Sequence, residues 1–324
     1  MLYRFAGLIV ALFCLTGAAR AAPEPRAALK EPLATQVVFL GLAGVGERVV
    51  AVGERGVVIY SDDAGESWTQ ADVPVRATLT AVTFVDERTG FAVGHDAVIL
   101  KTADAGATWS LLNFEPESQV VLLNVRFGDP QTGFVVGSNG QLWNTRDGAA
   151  TWARQTLSVE DWYQNHIFDI AWTPDGTTLA VAEKGVLYRA VSEDSAAGAF
   201  TFAPIQSPYD GSYFGAMTLA DGGLLIYGMN GNAFVSGDGG VTWRPIKTGT
   251  RQFLLGGTVL PGGRVVLVGG GGTILLFDPA MLRVESAQLP ARAGITAVLP
   301  RGEDVYLTTE AGGVQRQRFA ELVD

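Results

Sequence analysis

Ser61-Asp62-Asp63-Ala64-Gly65-Glu66-Ser67-Trp68 is the first of four copies of one eight-residue stretch. The pattern is S/T-x-D-x-G-x-T/S-W, and its copies begin at residues 61, 102, 145 and 236. The third copy departs from the pattern, because Gly148 comes one place early and Ala149 takes the usual Gly position. The closing tryptophans are 41, 43 and 91 residues apart, so the last interval spans two repeats. Repeats of this length with strand-like segments are typical of the blades of a β-propeller.

The residue types in this stretch are those of a tight turn. Asp and Ser or Thr side chains bind backbone N–H groups a few residues ahead, and Gly adopts a positive φ. Trp then begins the next strand and can cover the gap between neighbouring blades. A catalytic site does not need one carboxylate four times, whereas a scaffold needs the same turn in each blade. We therefore predict structural roles for Asp63, Trp68, Asp104, Trp109, Asp147, Trp152, Asp238 and Trp243.

Residues 1–21 have the composition of a secretory signal peptide. Arg4 precedes the apolar run Ala6–Ala18, and Ala19-Arg20-Ala21 offers a cleavage site. This run is too short to span a membrane, and no later apolar run is long enough. We expect an exported, periplasmic protein whose mature chain has no membrane span. The single cysteine, Cys14, lies in this segment, so we expect no disulfide in the mature chain.

The composition narrows the range of partners. The chain has 23 basic and 33 acidic residues and a net charge of −10. It shows no basic stripe for a phosphate backbone, which argues against nucleic acid as a partner. With two histidines and one cysteine, a zinc site is poorly supplied, and we predict no metal and no cofactor. The 41 glycines and the Val, Leu and Ile runs suit short strands joined by tight turns.

Seven repeats can be followed along residues 37–324. We predict one all-β domain, a seven-bladed β-propeller of four-stranded blades, monomeric by itself. A second motif, Phe-x-Asp-x3-Gly-Phe-x-Val-Gly, begins at Phe84 and returns at Phe127. The seventh repeat has only three strand-like segments. We expect the lead-in of residues 22–36 to close the ring, with its stretch around residues 26–30 supplying the missing outer strand.

The motifs resemble those of known propellers. The eight-residue stretch looks like the Asp-box of sialidase-type propellers. Its combination with the Phe-x-Asp motif, strongest in blades two, three and five, resembles the photosystem II assembly/stability factor family. Members of that family are seven-bladed propellers of chloroplasts and cyanobacteria that serve photosynthesis, with many relatives in non-photosynthetic bacteria. The resemblance implies a non-enzymatic, exported scaffold that binds a membrane-protein client or complex; a periplasmic partner of a transporter belongs to the same hypothesis.

A binding patch is expected where the longest inter-blade loops lie together. These loops are residues 158–166, 207–212 and 247–252, on three consecutive junctions. Aromatic residues and Arg are enriched at protein interfaces, and long loops carry function more often than short ones. The predicted interaction patch consists of Trp162, Tyr163, His166, Tyr209, Tyr213 and Arg251. The alternative is that Trp162 and Tyr213 cover blade edges and that His166 is a solvated loop residue.

Two other functions stay open at this point, a sialidase-like glycoside hydrolase and a carbohydrate- or peptide-binding propeller without catalysis. The hydrolase lacks the family's Arg-Ile-Pro motif, and no convincing carboxyl pair can be named. Catalysis would be favoured if polar residues converged on a pocket in the central opening. The residues to inspect are Glu54, Arg55, His95, Asp96, Asn139, Glu183, Lys184 and Asn230.

Overall fold

The structure, a computed structural model, describes residues 24–158, 165–194 and 199–322. Its strands form seven separate sheets, each an antiparallel meander, to which the fourth sheet adds one short parallel strand. First strands of neighbouring blades contact one another in a closed cycle. The predicted all-β, seven-bladed propeller is confirmed. In the described part of the chain, no helix is long and apolar enough to cross a membrane.

The first three blades each contain four strands. Blade one consists of β1 (Phe39–Val45), β2 (Arg48–Gly53), β3 (Val58–Ser61) and β4 (Thr69–Gln70). Blade two consists of β5 (Leu79–Phe84), β6 (Gly90–Gly94), β7 (Ile99–Thr102) and β8 (Ser110–Asn113). Blade three consists of β9 (Leu122–Phe127), β10 (Gly133–Gly137), β11 (Leu142–Thr145) and β12 (Ala153–Arg154).

The remaining blades follow the same order with two variations. Blade four adds the short parallel strand β13 (Thr156–Leu157) to β14 (Ile167–Trp172), β15 (Thr178–Ala182), β16 (Leu187–Asp194) and β17 (Ala199–Ile205). Blade five consists of β18 (Tyr213–Thr218), β19 (Leu224–Gly228), β20 (Ala233–Ser236) and β21 (Arg244–Pro245). Blade six consists of β22 (Leu254–Val259), β23 (Val265–Gly269), β24 (Thr273–Phe277) and β25 (Val284–Gln288). Blade seven has three strands, β26 (Ile295–Arg301), β27 (Asp304–Thr309) and β28 (Val314–Arg318), before the one-turn helix α1 (Phe319–Leu322).

The core lies between the blades. Every residue of β6, β10, β15, β19 and β23 is buried, because neighbouring blades cover both faces of these middle strands. Burial on two sides explains why they are continuous apolar runs rather than alternating patterns. Aromatic and aliphatic side chains of adjacent blades fill seven core clusters.

The two faces of the ring carry different turns. One face, here called the upper face, has the connections between blades and short 3₁₀ turns, most of which join second and third strands. The 3₁₀ turns are Ala34–Gln36, Glu54–Gly56, Pro116–Ser118, Ser138–Gly140, Glu183–Gly185, Met229–Gly231 and Gly270–Gly272. The opposite face carries the four repeated turns. On the upper face Gly94 approaches the carbonyl of Thr78 so closely that a Cβ would clash, which explains the Val-Gly ending of the Phe-x-Asp motif.

The lead-in lies along blade one. Residues 24–33 form no strand. The Ala28 N–H donates to the Val73 carbonyl (2.9 Å), and Lys30 Nζ donates to the Gln70 carbonyl (2.7 Å). The expectation that this segment supplies the outer strand of blade seven is therefore wrong, because its hydrogen bonds hold it at the outer edge of blade one.

The ring closes through single hydrogen bonds and packing between blades seven and one. Thr296 Oγ1 donates to the Phe39 carbonyl (2.8 Å), and the Gly313 N–H donates to the Val37 carbonyl (2.9 Å). Among the described residues no strand pairs across this junction, and β28 is the outer strand of blade seven.

Candidate binding site at the mouth of the central channel

The four repeated stretches form one hydrogen-bonded turn between the third and fourth strands. In the first copy, Asp63 Oδ1 accepts from the Ser67 N–H (2.9 Å) and from the Ser61 hydroxyl (2.7 Å). The Gly65 N–H donates to Ser61 Oγ (2.7 Å). Equivalent bonds surround the carboxylates of the other copies, Asp104, Asp147 and Asp238. Each carboxylate is occupied by its own turn.

The imperfect third copy keeps the same network. Ala149 stands in the Gly position with a φ of 67°, and its N–H donates to Thr145 Oγ1 (2.9 Å). The closing tryptophans pack into the gaps between blades. Trp109 joins the core of blades one and two, and Trp152 meets Phe127 edge-on at 6.1 Å. Trp68 and Trp243 pack against corresponding clusters.

Hydrogen bonding makes these carboxylates stronger acids. The Ser67 and Ser61 bonds lower the pKa of Asp63 to about 2. Bonds to the equivalent Thr and Ser side chains lower the pKa of Asp147 and of Asp238 to about 2. Burial raises the pKa of Asp104, but its hydrogen bonds lower it by more. Carboxyl groups that are ionised at neutral pH are unsuited to act as general acids.

The structure divides the predicted interaction patch. Trp162 and Tyr163 lie outside the described residues. Tyr213 is 0% exposed, so its interpretation as an interface residue is wrong. It is the first residue of β18 and faces the core between blades four and five. Its hydroxyl lies 2.8 Å from Ser207 Oγ, and burial raises its pKa to about 12.

The other three patch residues lie at the upper face. His166 Nδ1 accepts from the Asn139 N–H (3.1 Å), and the Tyr209 hydroxyl accepts from Asn230 Nδ2 (3.1 Å). These two side chains therefore brace the turns of adjacent blades. The Arg251 side chain is exposed and makes no hydrogen bond to a described residue.

Seven side chains line the mouth of the channel. In each blade the first strand has a β-bulge at its second residue. Bulges of this kind re-aim a side chain. All seven bulged residues line one axial cavity of about 520 Å³. This set, here called the collar, consists of Leu40, Thr80, Leu123, Phe168, Phe214, Leu255 and Thr296.

The two polar members of the collar are bound to neighbouring blades. Thr80 Oγ1 donates to the Leu122 carbonyl (2.6 Å), and Thr296 Oγ1 donates to the Phe39 carbonyl (2.8 Å). Their hydroxyls are satisfied by these bonds. The collar therefore offers a ligand an essentially apolar surface.

A row of aromatic rings continues the collar outward. Phe168 and Phe214 meet edge-on with centroids 5.2 Å apart, and Phe214 and Phe253 meet edge-on at 6.2 Å. Phe253 ends this aromatic row at the upper face and is 47% exposed. An exposed ring that adjoins an apolar cavity is the kind of surface that binds a protein partner.

Deeper in the channel, one ion pair joins three blades. Asp169 of blade four is 2% exposed and accepts from Arg126 Nε and Nη2 of blade three, at 2.7 Å each. Asn124 Nδ2 (2.8 Å) and the Ala216 N–H of blade five (3.0 Å) donate to the same carboxylate. Burial lowers the pKa of Arg126, but the Asp169 carboxylate raises it by more, so the guanidinium stays charged.

The polar residues that would favour catalysis do not converge on this cavity. All eight lie in upper turns, and in the described parts of the chain none of them lines the channel cavity. Among the described residues, no group of three or more His, Cys, Asp or Glu side chains is arranged to hold a metal ion. The mouth of this cavity is therefore apolar, and those eight residues form no acid–base site in it.

Seven β-sheet blades arranged in a closed ring define the chain as a seven-bladed β-propeller. A family model described as photosynthesis system II assembly factor YCF48 matches residues 60–120 and 108–176, within blades one to four. Over residues 60–176, and in its overall fold, the chain is similar to the Ycf48-like β-propellers.

One relative is similar to this chain in sequence over a short stretch, and two solved structures are similar to it over the whole fold. Photosystem II assembly lipoprotein Ycf48 of Prochlorococcus marinus (strain NATL2A) is 34% identical over 73 residues, which is 22% of this chain and 22% of that protein. A solved structure of YCF48 bound to a D1 peptide superposes with a TM-score of 0.67 and 16% identity, covering 93% of this chain and 98% of that one. Virginiamycin B lyase from Staphylococcus aureus gives a TM-score of 0.72 at 12% identity, covering 87% and 94%. At such identities the two structures show the fold alone.

Proposed function

We propose that this protein is an exported, non-enzymatic scaffold that binds a membrane-protein client during assembly or stabilisation of a complex. The family supports this role, because a YCF48 has been solved with a D1 peptide and the Prochlorococcus relative is an assembly lipoprotein. The signal-like segment of residues 1–21 supports export to the periplasm. That segment lies outside the described residues, so periplasmic location is part of the proposal.

The client-binding surface in this proposal is the aromatic row with the collar beside it. The observation that carries it is the exposed ring of Phe253 at the end of two edge-to-face aromatic contacts. A rigid row of rings loses little conformational freedom when a partner covers it, so it binds efficiently for its area. Arg251, two residues away and exposed, supplies a charged rim.

Site-specific photo-crosslinking tests this surface. A benzophenone amino acid at position 253 should crosslink one integral membrane protein in the native envelope. The matched control is position 241, where Val241 is 64% exposed in a repeated turn on the opposite face. Position 241 should give no such adduct, and Phe253→Asp should weaken co-purification of the same client without loss of folding.

Two results would contradict the proposal. Identical adducts from positions 253 and 241 would mean that the contacts are non-specific. Adducts from position 253 with glycans or soluble proteins alone would favour the carbohydrate- or peptide-binding alternative.

A further inference from the structure

Two cavities of the channel meet at a boundary, here called the waist, whose shared lining includes the charged side chain of Arg126. Arg126 lines the upper cavity of about 520 Å³ and a second cavity of about 400 Å³ beneath it. Thr83 and Gly257 also line both cavities. The Arg126 side chain keeps 39% of its surface exposed at this point. A ligand that enters past the collar therefore reaches a guanidinium.

Some N–H groups of the Arg126 guanidinium make no hydrogen bond to a described residue. Its Nε and Nη2 bind Asp169, whereas Nη1 makes no hydrogen bond to a described residue. Asp169 also accepts from the backbone N–H groups of Ile170 (2.8 Å) and Ala216 (3.0 Å) and from Asn124 Nδ2. The carboxylate is thus saturated and nearly inaccessible. The pair presents N–H groups rather than carboxylate oxygens to the channel.

Tyr227 adds a hydroxyl to the same cavity. It projects from the second strand of blade five past Gly215, where a Cβ would clash with the Tyr227 ring. The hydroxyl has no hydrogen-bond partner among the described residues. Burial raises its pKa, so it stays protonated and can donate. Donors from two blades therefore meet beneath an apolar mouth.

We propose that the upper cavity binds a carboxylate attached to an apolar group. A carboxylate fits the free N–H groups of Arg126 and can accept from the Tyr227 hydroxyl as well. The apolar body would contact the leucines and phenylalanines of the collar, in the usual arrangement of an apolar pocket with a few convergent polar groups. A free organic acid and the last residue of a polypeptide both have this chemistry. The inference shares the collar with the scaffold proposal but is tested separately, because its probes are expected to bind at the waist of the channel rather than at Phe253.

Titration calorimetry tests whether the upper cavity binds such a carboxylate. The purified protein is titrated with phenylbutyrate and with an acetylated Ala-Ala-Phe tripeptide acid, and each acid is compared with its amide. We expect the acid to bind roughly tenfold more tightly than its amide, because only the acid can pair with the guanidinium. Binding of both acids would mean that a free acid suffices, and binding of the tripeptide acid alone would identify a polypeptide end as the source. Equal affinities for acid and amide, or no binding of either acid, would overturn the proposal.

Three variants localise the binding. Tyr227→Phe keeps the ring and removes the hydroxyl, and Arg126→Lys keeps the charge opposite Asp169 but loses the planar set of donors. Each should weaken acid binding roughly fivefold or more. Thr258→Val, in the lower cavity, is the matched control and should leave the affinity unchanged. Wild-type affinity in Tyr227→Phe would overturn the proposal even if Arg126→Lys failed to fold.

Discussion

Arg126 in blade three and Asp169 in blade four form a two-pronged ion pair, with Nε and Nη2 each 2.7 Å from a carboxylate oxygen. Asp169→Asn would leave the guanidinium without its counter-charge at a site that water reaches only through the channel. We expect the free energy of unfolding to fall by about 2 kcal/mol, less than for a fully buried pair, because Asp169 is buried but the Arg126 side chain is 39% exposed. Urea unfolding followed by tryptophan fluorescence measures the change.

The control for this variant is Asp221→Asn. The Asp221 carboxylate is exposed and accepts from the Gly223 N–H within its own turn (2.9 Å). Its replacement should cost less than about 1 kcal/mol. Equal losses in the two variants would show that Asp169 acts only as a local cap.

The collar threonines should contribute to the cohesion of the ring. Thr296→Val and Thr80→Val keep the side-chain shape and leave the carbonyls of Phe39 and Leu122 without these donors. Each should lower the free energy of unfolding by about 1 kcal/mol. Hydrogen exchange should quicken in blades one and seven for Thr296→Val, and in blades two and three for Thr80→Val. The same exchange pattern in both variants would contradict a local role.

Acid should weaken the fold through the repeated turns. Asp63, Asp147 and Asp238 have a folded-state pKa of about 2, against about 3.9 in an unfolded chain. Since the folded pKa is the lower one, the stabilisation is complete above about pH 4 and is lost as pH falls towards 2. Thermal unfolding across this range should show Tm falling steeply. Asp63→Asn should lower Tm at neutral pH and flatten the acid slope, whereas a slope parallel to that of the wild type would refute the linkage.

Arg55 adopts a backbone conformation that favours glycine. Its φ is 56°, and Gly271 has the corresponding place in blade six with a φ of 61°. We expect Arg55→Gly to raise the free energy of unfolding by about 0.5–1 kcal/mol, because the left-handed conformation costs more for a side chain with a Cβ. Loss of the Arg55–Glu31 ion pair (3.6 Å) should offset little of this gain, because the Arg55 side chain is mostly exposed to solvent.

Asn230→Gly is the matched comparison for this position. Asn230 has a φ of 56°, but Asn tolerates the conformation better, so its gain should be smaller. Equal gains in the two variants would contradict the argument. A larger gain for Arg55→Gly would mean that the arginine is retained at the upper face at a cost in stability.

The fold could be predicted because each blade carries its own turn and a middle strand that is apolar throughout. The placement of the lead-in could not, because its position depends on individual bonds such as the one from Ala28 to Val73. The composition of the lead-in predicts an extended segment, but it does not predict which blade edge the segment will bind. The same limit applies to any segment without a repeat.

The site was predicted only in part, and Tyr213 shows why. It follows a long loop, which suggested exposure, but it is also the first residue of an inner strand. The residues at this place in the other repeats are all 0% exposed: Phe39, Leu79, Leu122, Ile167, Leu254 and Ile295. Superposing the repeats would have identified Tyr213 as core. It would also have shown the next residue of each repeat, including Phe168 and Phe214, as one set.

The ion pair of Asp169 and Arg126 in the channel is harder to predict from the sequence than the collar. Asp169 follows Phe168, where three other repeats have Gly and two have Ala, so a carboxylate there is anomalous. Its partner Arg126 occupies a different place in the preceding repeat. Only the tilt and spacing of adjacent strands bring the two side chains together, and sequence spacing alone does not give that geometry.

The hydrogen bond from Thr296 to Phe39 joins residues 257 positions apart. It cannot form until nearly the whole polypeptide has been synthesised, so one side of blade one waits uncovered while the other blades are made. Contacts between such distant residues are slow to form, because their loop must be closed before they add any stability. Blade one therefore completes its packing last, in whatever order the other blades fold.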